Sequence, residues 1–268
     1  MEALRQVDGW PVGRAAVGVT RAQELVAARG EQAAPFPWAS VTKLATALAT
    51  LVAAEEGTIE LDEPAGPPGS TVRHLLAHAS GLPLEAGPPI ASPGARRIYS
   101  NAGFEALAEA VAERAEMPFA EYLDAAVLAP LGLSARLNGS AGSGLEGSLD
   151  DLVALGRELL APTLVAAETL AEATAVAFPG LVGVLPGFGR MDPNDWGLGF
   201  ELRDAKRPHW TGERNSEGTF GHFGQSGSFL WVEPEAGLAC ACLSDTRFGD
   251  WAKEAWPRLS DAVLAEGR

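Results

Sequence analysis

The chain has 268 residues, 47% hydrophobic and 21% charged, a globular composition long enough for one large domain or two that share a core. Its 20 lysines and arginines face 35 acidic residues, and the net charge of −15 argues against nucleic acid or an anionic membrane as a partner. No apolar run approaches the length of a membrane span, and Met1 to Val17 lacks an apolar core behind a basic start, so the expected location is the cytoplasm.

Residues 15–20 and 23–28 flank a short polar turn and predict a β-hairpin. A proline-containing approach, Pro35-Phe36-Pro37-Trp38, delivers the chain to Ser40. From Leu44 to Glu56 there is no glycine or proline, and Gly57 is a stop signal, which predicts a helix. Ser40 and Lys43 then fall in its first turn, three residues apart on one face. A serine hydroxyl needs a base before it is a useful nucleophile, and a lysine made neutral by burial can be that base. The positive end of a helix suits charge developing on an oxygen beside Ser40. Taken alone, a serine here is more commonly a helix cap.

A short helix is expected from Val72 to Ala79, carrying His74 and His78 at i and i+4, the spacing of a two-histidine zinc site. Leu75 stands where a metalloprotease has its glutamate, and no nearby cysteine or acidic residue completes a ligand set, so structural histidines and no metal are expected. Pro88 to Gly94 reads as a loop leading to Tyr99-Ser100-Asn101. Asn101 is a good N-cap for a helix from Phe104 to Glu116, and Tyr99 just before it can project a phenol into a cleft. Tyr122, in an amphipathic helix from Pro118, reads as a packing residue. The Gly/Ser-rich run 138–148 reads as loop, and Ser148 to Asp151 as a capping-box start for a helix to about Leu160. Another helix is expected over 164–177, then a long loop over 179–195 that can wall a cleft.

The remainder is β-like. Residues 196–202 alternate as a strand, Gly218 to Ser228 leads into a strand at 229–232, and 238–243 is an apolar strand. Cys240 and Cys242 point the same way along it but are too far apart for an ordinary disulfide, so they read as small core residues. A helix from Trp251 to Ala265 covers one face of the sheet. The expected fold is α/β in the α+β sense, a mostly antiparallel sheet built from both chain ends and flanked by helices, with an inserted helical region. The division is residues 1–62 with 190–268 for the sheet domain and 63–189 for the helical one. Glycines around His222-Phe223-Gly224 let a strand backbone approach a ligand closely. The N–H groups of Gln225 and Ser40 can then hold an oxyanion.

Ser40-Val-Thr-Lys43, Tyr99-Ser-Asn101 and His222-Phe-Gly224, in this order, resemble the three-motif signature of the penicillin-recognising serine hydrolases. The nearest branch is that of class C β-lactamases, D-alanyl-D-alanine carboxypeptidases and β-lactamase-like esterases. Leu75 to Leu82 and Trp196 to Phe200 also look like that family, and the resemblance spans nearly the whole chain. It implies a cleft between sheet and helices, Ser40 as acylated nucleophile, Lys43 and Tyr99 as its proton partners, and Asn101 bonded to Lys43 and the substrate's acyl side. His222 would occupy the place usually held by a cation near the substrate carboxylate, with Gly224 behind it and Ser40 and Gln225 supplying the oxyanion N–H groups. No cofactor is implied. The partner would be a small-molecule acyl substrate, and the protein a monomer or homodimer.

The chain departs from the family in its histidine at the third motif, its short length and its lack of an export signal. These favour an esterase or amidase over a β-lactamase or carboxypeptidase. A Gly-x-Ser-x-Gly elbow is absent, which disfavours an α/β-hydrolase. A ligand-binding member without turnover is the remaining alternative.

Overall fold

The structure is a computed structural model describing residues 1–267. An N-terminal 3-10 helix, Glu2–Gly9, precedes strands β1 (Ala15–Thr20) and β2 (Leu25–Gly30). These form the expected hairpin, with the second strand two residues later than the sequence suggests. Strand β3 (Phe36–Pro37) and a 3-10 turn, Ala39–Val41, lead into helix α1 (Thr42–Glu55). Helices α2 (Val72–Leu76), α3 (Asn101–Ala115) and α4 (Phe119–Leu123) follow. Strands β4 (Arg136–Leu137) and β5 (Leu145–Gly147) then pair beside β3. Helices α5 (Leu149–Leu160) and α6 (Ala167–Ala173) come next, then the hairpin β6 (Gly183–Leu185) and β7 (Gly189–Met191). The chain closes with β8 (Glu201–Leu202), β9 (Phe220–Gly224), β10 (Ser228–Glu233), β11 (Leu238–Ser244) and helix α7 (Asp250–Gly267).

The main sheet is antiparallel in the order β2-β1-β11-β10-β9-β8, so the first hairpin docks on the last long strand. Side chains alternate across it. Ala239, Ala241 and Leu243 of β11 face the core that holds α1, α3 and α5, whereas Cys240 and Cys242 face α7. Both cysteines are buried free thiols whose ionisation burial suppresses. Helix α1 is apolar or small nearly all round and is buried along almost its whole length.

Several sequence expectations need correction. Residues 196–202 do not form one strand. Gly197 and Gly199 bring the backbone against Ala173 and Ala47 in a turn, with Gly197 N–H bonded to Phe200 O, and only Glu201–Leu202 pair. The helix expected over 164–177 is confined to α6, because Ala177 leaves to bond Trp196. The 179–195 loop carries the β6–β7 hairpin. Helix α2 ends at Leu76, and His78 takes a left-handed conformation (φ 53°), so His74 and His78 do not share a helical face. His74 bonds Thr71 and stacks on Phe178, and His78 accepts from the Ser100 N–H. The Ser148–Asp151 capping box forms as read.

The α7 side of the sheet depends on Trp256, which is fully buried with its ring 5.0 Å from Phe229 and 5.3 Å from Phe248. Trp256→Ala is expected to cost about 3–5 kcal/mol and to lower the urea midpoint, with Trp256→Phe costing clearly less. An unchanged midpoint in the alanine variant would contradict this packing.

Candidate active site

Ser40 stands on a strained turn. Ala39 is held at φ 45°, a left-handed value that costs an L-residue roughly 1–2 kcal/mol. Both sides of Trp38 are pinned to pay that cost, its N–H on Leu145 O at 2.9 Å and its carbonyl on the Ser228 hydroxyl at 2.7 Å. Ser40 is therefore not a helix cap, and no side chain caps α1. It is half-buried, facing a cleft of about 930 Å³ that is also lined by Tyr99, Asn101, His222 and Gln225.

Lys43, in the first turn of α1, is fully buried. Its ammonium donates to Asn101 Oδ1 and to the Gly142 carbonyl, both at 2.7 Å, and lies 4.8 Å from the centre of the Tyr99 ring. Burial pulls its pKa from 10.5 down to about 7, and the carboxylates of Glu105 and Glu85 pull weakly the other way. The same face of α1 grips the segment that supplies Gly142. The Thr42 hydroxyl accepts from Leu145 N–H, and that of Thr46 donates to Ala141 O. The Gly/Ser-rich run is thus a strap across the lysine, with a glycine where a Cβ would crowd the amine at 3.2 Å.

Asn101 is not the N-cap of α3. Ser100 takes that role by accepting from Gly103 N–H, which leaves Asn101 at the first helical position with its side chain free to reach Lys43. Its amide N–H donates to Glu85 at 3.1 Å. Glu105, one turn along α3, accepts from the Ser140 hydroxyl, which in turn accepts from Gly142 N–H. Each of the two acceptors that hold Lys43 is therefore anchored by a carboxylate. The sequence reading missed this pair, because neither glutamate lies in a recognisable motif; the i, i+4 spacing of Asn101 and Glu105 was the available signal.

Burial raises the pKa of Tyr99, opposed by a side-chain hydrogen bond with Ser40. Two imidazoles and an indole pack around its ring, His78 at 4.7 Å, His222 at 5.7 Å and Trp196 at 5.9 Å between centres. His222 sits on β9, on the sheet face toward α1, and is buried rather than surface-exposed. Its Nδ1–H donates to Phe223 O at 2.7 Å, so Nε2 carries the lone pair and is buried without a partner. Burial, then the neighbouring Lys43, push its pKa down to about 3. The place that the resemblance gives to a cation is thus taken by a neutral imidazole.

Gly224 closes the arrangement. A methyl there would overlap Ser228 Oγ and the Trp38 carbonyl and press on Ala39, so only glycine lets β9 lie against the Ser40 turn. Gln225 follows at the cleft rim. The sequence reading also missed Glu201, paired with Gly221 beside His222. Burial alone would raise its pKa, but His209 and Lys206 at 2.9 Å hold it near about 2, and Trp210 donates a third contact at 2.7 Å. Arg97, also buried, spends its guanidinium on the carbonyls of Ala77, Ala177, Phe178 and Asn194.

The arrangement joins a half-exposed hydroxyl, a desolvated amine and a half-buried phenol at one cleft. Comparison with known proteins bears on the family and the fold. A Beta-lactamase family profile matches residues 6–264. A β-lactamase from Mycobacterium bovis is 54% identical, covers 99% of each chain and superposes with a TM-score of 0.98. EstCE1, described as a hydrolase with promiscuous acyltransferase activity, shares the fold at 17% identity and TM-score 0.81, over 98% of this chain and 96% of that one. Simvastatin synthase from Aspergillus terreus does so at 17% and 0.80, over 98% and 93%. No curated protein matches. With fold, motif order and a family match over nearly its full length in agreement, the chain belongs to the Beta-lactamase family.

Proposed function

We propose that this protein is a serine hydrolase working through an acyl-enzyme on an ester or amide, with Ser40 as nucleophile and Lys43 as the final proton acceptor. The observation that carries the reading is the state of Lys43. A neutral amine has two N–H bonds and one lone pair; Asn101 and Gly142 accept both N–H bonds, which leaves the lone pair unspent. With a pKa of about 7, about half the molecules hold that base ready at neutral pH. Tyr99, which shares a side-chain hydrogen bond with Ser40 and has its ring centre 4.8 Å from the Lys43 amine, is assigned the relay between them. Its raised pKa keeps it a phenol at rest, which suits a relay rather than a standing base.

Ser40 Oγ attacks the acyl carbon as its proton passes to the Tyr99 oxygen and the phenolic proton moves to Lys43. The N–H groups of Ser40 and Gln225 hold the resulting oxyanion. Collapse expels the leaving group, which takes its proton back through Tyr99, and a water molecule repeats the sequence on the acyl-enzyme. Asn101 keeps the amine aimed, and Gly224 keeps β9 close enough for Gln225 to contribute. A second reading, hydrolysis of β-lactams, is favoured by the description of the 54% identical relative as a β-lactamase.

Ser40→Ala is expected to lower hydrolysis of p-nitrophenyl butyrate by on the order of 10⁴-fold or more, and a fluorophosphonate probe should add its mass to the Ser40 peptide. Unchanged turnover, or an adduct on Ser226, would overturn the assignment. A chromogenic cephalosporin assayed beside the ester decides between the two readings.

The pH profile gives a separate check. Activity requires neutral Lys43, so kcat/KM should rise with pH through about 7. The titratable and charged groups facing the amine are Glu85, Glu105, Tyr99, His78 and His222, of which the two glutamates raise its pKa. Glu105→Gln removes one upward pull, so the acid limb should move to lower pH. A limb that stays put or moves upward would refute Lys43 as the titrating base.

A further inference from the structure

Among the described residues, seven large hydrophobic side chains are exposed, and three of them, Leu84, Ile90 and Val184, gather on the rim of the Ser40 cleft at 49%, 62% and 55% exposure. Ile98, Leu185 and Pro186 continue that surface toward Tyr99. Leu84 and Ile90 belong to the loop before α3, and Val184 and Leu185 to the β6–β7 hairpin, so the apolar rim comes from two separate segments that border one space. Exposed apolar surface concentrated beside a nucleophile marks a binding surface for apolar matter.

The buried polar groups of the cleft offer an anion no uncommitted cation. At the third motif His222 offers a buried lone pair with no proton, which repels a carboxylate instead of pairing with it. Glu85 places a carboxylate on Asn101. The guanidinium of Arg97 is already bonded to four carbonyls, and the remaining arginines of the cleft, Arg96 and Arg247, are both solvent-exposed.

We infer that the substrate of this site is an uncharged ester with an aliphatic acyl chain, seated on the Leu84–Ile90–Val184 rim, and not a carboxylate-bearing amide or lactam. The inference rests on the serine-hydrolase reading above and narrows it. At roughly 930 Å³ the cleft has room for a medium-length chain beside the reacting carbonyl.

The test is a matched set of p-nitrophenyl esters, namely acetate, hexanoate and the half-ester of adipic acid, whose six-carbon acyl chain ends in a carboxylate. The expected kcat/KM for hexanoate exceeds that for acetate by roughly tenfold or more, since each buried methylene strengthens binding. Hexanoate should exceed the adipate half-ester by a similar factor. In Ile90→Asp and Val184→Asp, which alter exposed positions, the hexanoate-to-acetate ratio should fall toward one. Acetate turned over as well as hexanoate, an adipate half-ester as good as hexanoate, or a ratio untouched by both variants would each overturn the inference while leaving Ser40 chemistry intact. The opposite failure is distinguishable: turnover persisting in Ser40→Ala strikes the serine-hydrolase reading itself.

Discussion

Everything at this site depends on keeping water away from one amine. Moving the pKa of Lys43 from 10.5 to about 7 corresponds to roughly 5 kcal/mol of discrimination against its ammonium form. That penalty exists only because α1 is apolar on the sides where a surface helix would be polar, so the lysine enters the core with the helix that carries it. A buried amine with no partners would be tolerable only as a permanently neutral group. Here Asn101 and Gly142 hold it in one orientation, and the anchoring glutamates stop the descent near neutrality. The proton affinity of this amine is thus a compromise between desolvation and two distant negative charges.

The second constraint is steric. Ser40 is presented because Ala39 is forced into a left-handed turn, and that turn persists because β9 and β10 press on it from the sheet side while β5 holds Trp38. Any side chain at position 224 would separate these layers. Ser40 and the third motif, far apart in sequence, are therefore two sides of one packing contact. This accounts for a first motif and a third motif whose residue identities are set by backbone proximity as much as by chemistry.

The elements legible in the sequence were those whose signal is local and periodic: α1, α5 with its capping box, α7, the first hairpin and the last two strands. The misreadings have particular causes. Asn101 was a plausible cap, but Ser100 beside it was an equally good one, and the competition was settled by the need of Lys43 for an acceptor. The alternation of residues 196–202 was real, yet the two glycines within it serve close contacts with α6 and α1 rather than a strand. The strap at 138–148 looked empty because its grip on α1 runs through backbone groups of Ala141, Gly142 and Leu145. The three motifs marked Ser40, Lys43, Tyr99 and Asn101 as candidates, whereas Glu85, Glu105 and the Glu201 cluster act through contacts that no sequence period announces.

The neutrality of His222 follows from the same dryness that lowers the pKa of Lys43. Burial and the partly charged amine nearby keep this histidine neutral near pH 7, against the smaller upward pull of its Nδ1–H bond to the Phe223 carbonyl. A lysine at this position would confront Lys43 with a second charge in the same dry space, and one of the two would lose its proton. A histidine here therefore spares Lys43 that conflict and, by the same step, gives up a cation that could receive a carboxylate. An aliphatic chain on the cleft rim works in the same direction, because covering Ser40 and Tyr99 with hydrocarbon removes further water from the surroundings of the amine. On the proposed reading, preference for an uncharged substrate and the low pKa of Lys43 are two consequences of one desolvated environment.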